Sequence, residues 1–203
     1  MTALPNRDRR AERREATRRE ILNAAWLIAR RDGLTAVTLR EVGELVGMRA
    51  PSLYSHFESK NAIYDAMYAE SWQGVMDVFA AATFPDLPRQ AQLAEAELFF
   101  DYATADLARN QLMNQRVIHD FEPSKAAFAI AVKAYDRMAG TLRARGVKRQ
   151  ADFDLWTALL AGAVSQQHAN DPGGKRWRKQ LPRIVDMFCD EVGIPGPPVR
   201  RTA

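Results

Sequence analysis

The stretch TLREVGELVGMRAPSLYSHFESK, Thr38 to Lys60, decides how this chain folds. Thr38-Leu39-Arg40-Glu41 has the spacing of a capping box: the Thr38 hydroxyl accepts from the Glu41 amide, and the Glu41 side chain reaches back to the Thr38 amide. A helix therefore begins at Leu39, and Gly47 stops it after two turns. A second begins near Ala50, tolerates Pro51 in its first turn and runs to about Phe57. Gly43 presents no side chain where the next helix must cross closely, and Gly47 supplies the positive φ of the turn. Val42, Val46, Leu53 and Phe57 point inward and clamp the pair. Arg49, Ala50, Ser52 and Ser55 are left on the outer face of the second helix. Small, polar and cationic groups there suit the major groove of DNA, which admits one helix. At its edges, the hydroxyl of Tyr54, the imidazole of His56 and the ammonium of Lys60 can bond phosphates.

Long helices frame this pair. Upstream, the sequence is free of breakers from about Ala11 to Gly33, with Ile21, Ala25, Ile28 and Ala29 on one face. Gly33 suits a left-handed cap closed by Leu34. Downstream, Ser59 caps a helix from Lys60 to about Ala82, ended by Pro85 and Pro88. The spacing then predicts helices over Gln90 to Asn110, Ser124 to Arg145 and Ala151 to Ala169, with a short helix and loop over Gln111 to Glu122. A turn at Asp171-Pro172-Gly173-Gly174 precedes a last helix over Lys175 to Val192, kinked or restarted at Pro182. No strand pair or repeat is visible, so the expected class is all-α. The expected parts are a basic arm running into the first helix (1–17), a helix-turn-helix head (18–62), a helical ligand-binding and dimerisation domain (63–193) and a flexible tail (194–203).

Charge is distributed unevenly. The net +4 lies wholly in residues 1–60, which hold twelve Lys/Arg against eight Asp/Glu; the rest holds seventeen of each. A basic end on a neutral body points to a polyanion contact, although a solvated charged helix would give the same excess. Arg7, Arg10, Arg14 and Arg18 fall three and four apart. They either contact phosphates or a minor groove, or pair on the surface with Glu12 and Glu15.

Several classes are disfavoured. The longest clean apolar run, Trp156 to Val164, is far short of the ~18 residues of a membrane span. Asn23 interrupts the run Ile21 to Ala29, and Arg30-Arg31-Asp32 follows without a cleavage site, so no signal peptide is read and a cytoplasmic location is expected. The single cysteine, Cys189, has apolar neighbours and reads as a buried thiol. The three histidines, His56, His119 and His168, are too scattered for a helical metal site. No His-Glu-x-x-His, glycine-rich phosphate loop or nucleophile elbow is present, so neither enzyme activity nor a cofactor is expected.

Residues Arg18 to Ala66 resemble the DNA-binding domain of the tetracycline-repressor (TetR) family. The resemblance is carried by Ile21-Leu22-x-Ala24-Ala25, Gly33, Thr38-Leu39-Arg40-Glu41-Val42, Gly47 and Pro51-Ser52-Leu53-Tyr54-x-His56-Phe57-x-Ser59-Lys60. It implies phosphate contacts from Thr38, Tyr54, His56 and Lys60, and groove contacts from Arg49, Ala50, Pro51, Ser52 and Ser55; Arg40 is a further candidate on the DNA side. Two departures matter. Arg49 replaces the usual hydroxyl cap, and either reads a guanine edge or stays solvated or phosphate-bound. Ala50 and Pro51 leave few hydrogen-bonding groups, so sequence choice leans on thymine methyls and DNA shape. More weakly, Trp156, Gln166-Gln167, Asn170 to Gly174 and Trp177 look similar to the last two helices of one subgroup. The resemblance implies a homodimer through those helices, double-stranded operator DNA as partner and a small-molecule effector enclosed by the others.

Candidates for the effector pocket are Phe99, Tyr102, Met113, His119, Phe121, Phe128, Tyr135 and Trp156, with Tyr102, His119 and Tyr135 as polar anchors. Each can equally be core. His119 beside Asp120 is assigned no chemistry, since neighbours on a helix do not face each other. The expected function is a ligand-responsive transcriptional regulator, most simply a repressor. An activator, a ligand-independent regulator of the same fold, and a helical binding protein or enzyme that never touches DNA are the alternatives.

Overall fold

Apolar side chains at three- and four-residue steps give each helix one buried face. The computed structural model describes residues 9–199, without the side chain of Ala50. Its helices are α1 (Arg9–Asp32), α2 (Leu39–Leu45), α3 (Ala50–Tyr54), α4 (Lys60–Ala81), α5 (Pro88–Thr104), α6 (Leu107–Asn114), α7 (Lys125–Ala144), α8 (Gln150–Asn170) and α9 (Leu181–Val192). There is no strand among the described residues, and the architecture is all-α.

One core cluster joins Ile21 and Ile28 of α1, Val42 of α2, Leu53 of α3 and Ile63, Tyr64 and Met67 of α4. Each such side chain, fully buried, contributes roughly 1.5–3 kcal/mol. The same cluster takes in Leu112 of α6 and Ala127 and Ala131 of α7, so the head shares its core with the following helices. A second cluster holds Phe100, Leu142, Phe153, Trp156, Val185 and Phe188, with the Trp156 and Phe188 rings 4.7 Å apart. Between them, Val75, Met113 and Ala134 are buried against Trp72, Phe79, Phe99 and Tyr102.

Local chemistry explains where the elements differ from expectation. Helix α3 ends at Tyr54, not Phe57: the His56 amide turns back three residues to the Leu53 carbonyl at 2.9 Å, a tighter closure than an α-helical turn. The stretch from Gln90 to Asn110 is broken in two: Asp106 accepts from the Arg109 amide at 3.1 Å and starts α6 afresh. Of the two outcomes expected at Pro182, the helix restarts and does not kink: α9 begins at Leu181 with Pro182 in its first turn, and residues 175–180 before it are not α-helical. Gly33 has φ 91 and ψ 160, a glycine conformation other than the left-handed helical one. The proposed tail is docked in its first part. Ile194 is buried, Arg89 donates to its carbonyl at 3.0 Å, and the Val199 amide donates to Asp186 at 2.8 Å. Residues 200–203 and Arg7 lie outside the described residues.

Candidate nucleic-acid interface and effector cavity

The reading head is built from its caps and its glycines. Thr38 Oγ1 accepts from the Glu41 amide at 3.2 Å, as half of the capping box requires. The reciprocal half is absent, because the Glu41 carboxylate pairs with Arg31. Gly47 has φ 66, and a Cβ on Gly43 would lie 2.7 Å from the Met48 carbonyl oxygen and 3.1 Å from Leu53 Cδ1. These glycines let α3 cross α2 at contact distance. Val42, Leu53 and Phe57 are buried and Val46 is half-buried, which fixes the other side of α3 outward.

On that outward side Arg49, Pro51, Ser52, Tyr54 and Ser55 are exposed. Arg49 precedes α3 without a capping side-chain bond, as its chemistry predicts. Ser55 donates its hydroxyl to the Ser52 carbonyl at 2.7 Å. Thr38 is exposed at the start of α2, and Arg40 on the same helix pairs with Glu44 at 2.9 Å. Lys60 opens α4 with Nζ 5.5 Å from the Tyr64 ring, beside Ser59, which accepts from the Ala62 amide. His56 is half-buried, and its Nδ1 has no partner among the described residues.

The arm arginines divide. Arg14 donates to the Ser55 carbonyl at 3.3 Å, and Arg18 donates to the His56 carbonyl while stacking 4.0 Å over Phe57. Both therefore satisfy carbonyls at the C-terminal end of α3, where the helix dipole favours cations. They hold the end of α3 against α1. Their spacing in the sequence groups them with Arg7 and Arg10 as DNA contacts and gives no sign of this inward role.

A cavity of about 370 Å³ opens among α4, α5, α6, α7 and α8. Of the candidates, Phe99, Tyr135 and Trp156 line it. The other candidates lie elsewhere. Tyr102 is a strut that donates to the Ser71 carbonyl at 2.7 Å, over Gly74, where a Cβ would lie 2.3 Å from its hydroxyl oxygen. Met113, Phe121 and Phe128 line a second cavity, of about 420 Å³, beneath the 115–124 segment. His119 is exposed in that segment. It meets Asp120 at 2.8 Å because the chain there is not helical, contrary to the helical geometry assumed for the pair.

The sequence reading missed the α4 wall of the first cavity: Trp72, Val75, Met76 and Phe79. Their three- and four-residue spacing was a signal of a buried face, but not of what the face would meet. It also missed the polar lining. Glu95 is held by Arg145 at 2.8 and 2.9 Å, and the nearly buried Asn110 accepts from Asn114 at 3.0 Å. Among the described residues, no group of three His, Cys, Asp or Glu could hold a metal ion, and no helix is long and apolar enough to cross a membrane.

Residues 21–67 match the model of the family "Bacterial regulatory proteins, tetR family". The chain is 25% identical over 156 residues to the HTH-type transcriptional regulator AcrR of Shigella flexneri, a match covering 72% of each. In fold it is similar to a regulatory protein in the tetR family from Rhodococcus RHA1 (TM-score 0.63, 19% identity, 88% of this chain and 98% of that one). It is also similar to the TetR family regulator PfmR of Thermus thermophilus (TM-score 0.63, 19% identity, 83% of this chain and 96% of that one).

Proposed function

We propose that this chain, which belongs to the tetR family of bacterial regulatory proteins and is a DNA-binding transcriptional regulator, is a homodimeric repressor released from a palindromic operator by a small hydrophobic effector. The observation that carries the reading is the outward face of α3. Arg49, Pro51, Ser52 and Ser55 are exposed there beside Tyr54, while Leu53 and Phe57 anchor the opposite side in the core. In this reading Thr38, Arg40, Tyr54, His56 and Lys60 hold phosphates, and the α3 face enters the major groove.

Coupling runs along α4. Trp72, Val75, Met76 and Phe79 touch the cavity; Lys60, about 18–28 Å away along the same helix, touches the DNA side. Tyr64 ties α4 to the head by donating to the Leu34 carbonyl at 2.6 Å. Burial pushes its phenol up to about 12, so it remains a neutral donor at physiological pH. Asn61 and Asp65 tie the same turns of α4 to residues 120 and 124. An effector that fits the cavity better when α4 is displaced shifts the population toward heads whose spacing no longer matches two half-sites.

Dimerisation uses α8 and α9. On α8, Leu155, Ala158, Gly162 and Ala169 are exposed along one face, and the small residues permit close helix approach. Met187 of α9 is 57% exposed.

The test is a gel shift on DNA flanking the gene at several salt concentrations. Wild-type protein shifts a palindromic duplex. The variant Tyr54→Ala/Lys60→Glu binds at least about tenfold more weakly, with a log–log salt slope shallower by ~0.9 for each phosphate that a subunit no longer neutralises. Equal affinity of wild type and variant, or no duplex preference at low salt, overturns the reading.

A further inference from the structure

We infer that the cavity selects an amphipathic anion, an apolar body carrying a carboxylate or similar group, and that Arg137 is the residue that recognises its charge. The inference rests on the effector reading above and adds the ligand's chemistry to it.

Two charged side chains line the cavity, Glu95 and Arg137. They are in opposite conditions. Glu95 is neutralised: both its oxygens accept from Arg145, at 2.8 and 2.9 Å, and Thr141 donates to it at 3.3 Å. A cationic ligand would have to displace a bidentate, largely buried arginine to reach it. Arg137 has no such counter-charge. Its guanidinium lies 4.6 Å from the Phe79 ring centroid and 5.8 Å from that of Phe84, and donates only a long bond, 3.4 Å, to the Phe79 carbonyl. No carboxylate pairs with it among the described residues. It is half-buried, held by aromatic stacking with most of its donors unused. The charge left unbalanced on the cavity wall is therefore positive.

The rest of the wall accepts the ligand's body. Trp72, Val75, Phe79, Phe99, Trp156 and Leu160 are apolar. Asn110, 3% exposed, accepts from Asn114 through its oxygen, and its own amide donors have no protein partner among the described residues. A second hydrogen-bond donor thus faces the same space, and donors suit an acceptor-only anion.

The test uses dodecanoate and dodecanol, which share a tail and differ in charge. Binding to the intact protein is followed by intrinsic tryptophan fluorescence, since Trp72 and Trp156 line the cavity, and by calorimetry. Wild type binds dodecanoate at least about tenfold more tightly than dodecanol at pH 8, the scale of a charge-assisted bond in a dry site. Arg137→Gln erases the preference while leaving dodecanol affinity within about twofold, and Arg137→Lys restores part of it. Circular dichroism and melting curves check that the variants fold; the wild-type comparison stands without them. Equal binding of the two probes by wild type, no dodecanoate binding, or a preference that survives in Arg137→Gln overturns the inference. Operator release is measured separately. Dodecanoate that binds through Arg137 yet leaves the gel shift unchanged removes the effector reading and leaves the anion site. A regulator that binds its operator but ignores dodecanoate does the reverse.

Discussion

At the scale of single residues, much of the head's geometry turns on the absence of a side chain at Gly43. A methyl there would lie 2.7 Å from the Met48 carbonyl oxygen, a backbone atom that cannot rotate aside, and 3.1 Å from Leu53. Gly43→Ala is expected to destabilise the head by roughly 1–3 kcal/mol, the usual cost of overpacking, despite alanine's better helix propensity. Thermal melting followed on the full chain checks this. A melting point at or above that of wild type shows that α2 and α3 are not in contact at that point. Cys189 illustrates the opposite kind of residue. It is fully buried, and burial pushes its thiol up to about 11, so it stays protonated and unreactive at neutral pH. Arg14 and Arg18 show how one residue type can serve two ends. Their charges add to the basic field of the N-terminal third, while their donors are used on carbonyls of Ser55 and His56.

At the scale of elements, the caps decide more than the apolar stripes. Ser59, Asp106 and Ser124 each accept from an amide three residues on, at 3.1 Å, and each starts a helix. Asp106 does two jobs at once: it caps α6 through Oδ1 and meets Arg30 of α1 through Oδ2 at 2.8 Å. The two contributions are separable. Asp106→Ala removes both and is expected to cost about 1–2 kcal/mol, most of it the lost cap. Asp106→Asn keeps a capping oxygen and loses only a partly exposed ion pair, so it should remain within about 1 kcal/mol of wild type. Urea unfolding of both variants measures the split. If Asn proves as costly as Ala, the ion pair to α1 and not the cap holds α6 in place.

At the scale of the whole molecule, symmetry carries the functional reading. In the proposed reading one head spans one half-site, so operator affinity would depend on two heads held at a fixed separation. Leu155→Glu combined with Met187→Glu places charge on both exposed α8 and α9 surfaces and is expected to convert a sedimenting dimer to a monomer. Binding to a palindromic duplex should then fall to the weak, salt-sensitive level of a single head, while helicity is unchanged. A variant that remains dimeric would move the interface away from α8 and α9.

By itself, the sequence determined the head. The Thr38 cap, the glycines at 43 and 47, the inward set Val42, Leu53 and Phe57, and the outward Tyr54 and Ser52 follow from interactions within about twenty residues, where spacing fixes geometry. It also determined most helices, since a period of 3.6 repeats over many turns. It misjudged the join at Asp106, the non-α-helical stretch 175–180 before α9 and the fate of Ile194, because a short capping contact or a docked apolar residue leaves no periodic trace. The cavity was decided by tertiary structure alone. Whether Trp72 meets a void or a neighbour, whether Glu95 is neutralised, and whether Arg137 is left without a counter-ion depend on α4, α5, α7 and α8 converging from positions up to about ninety residues apart. Helical periodicity says which face of an element is buried; only packing says against what.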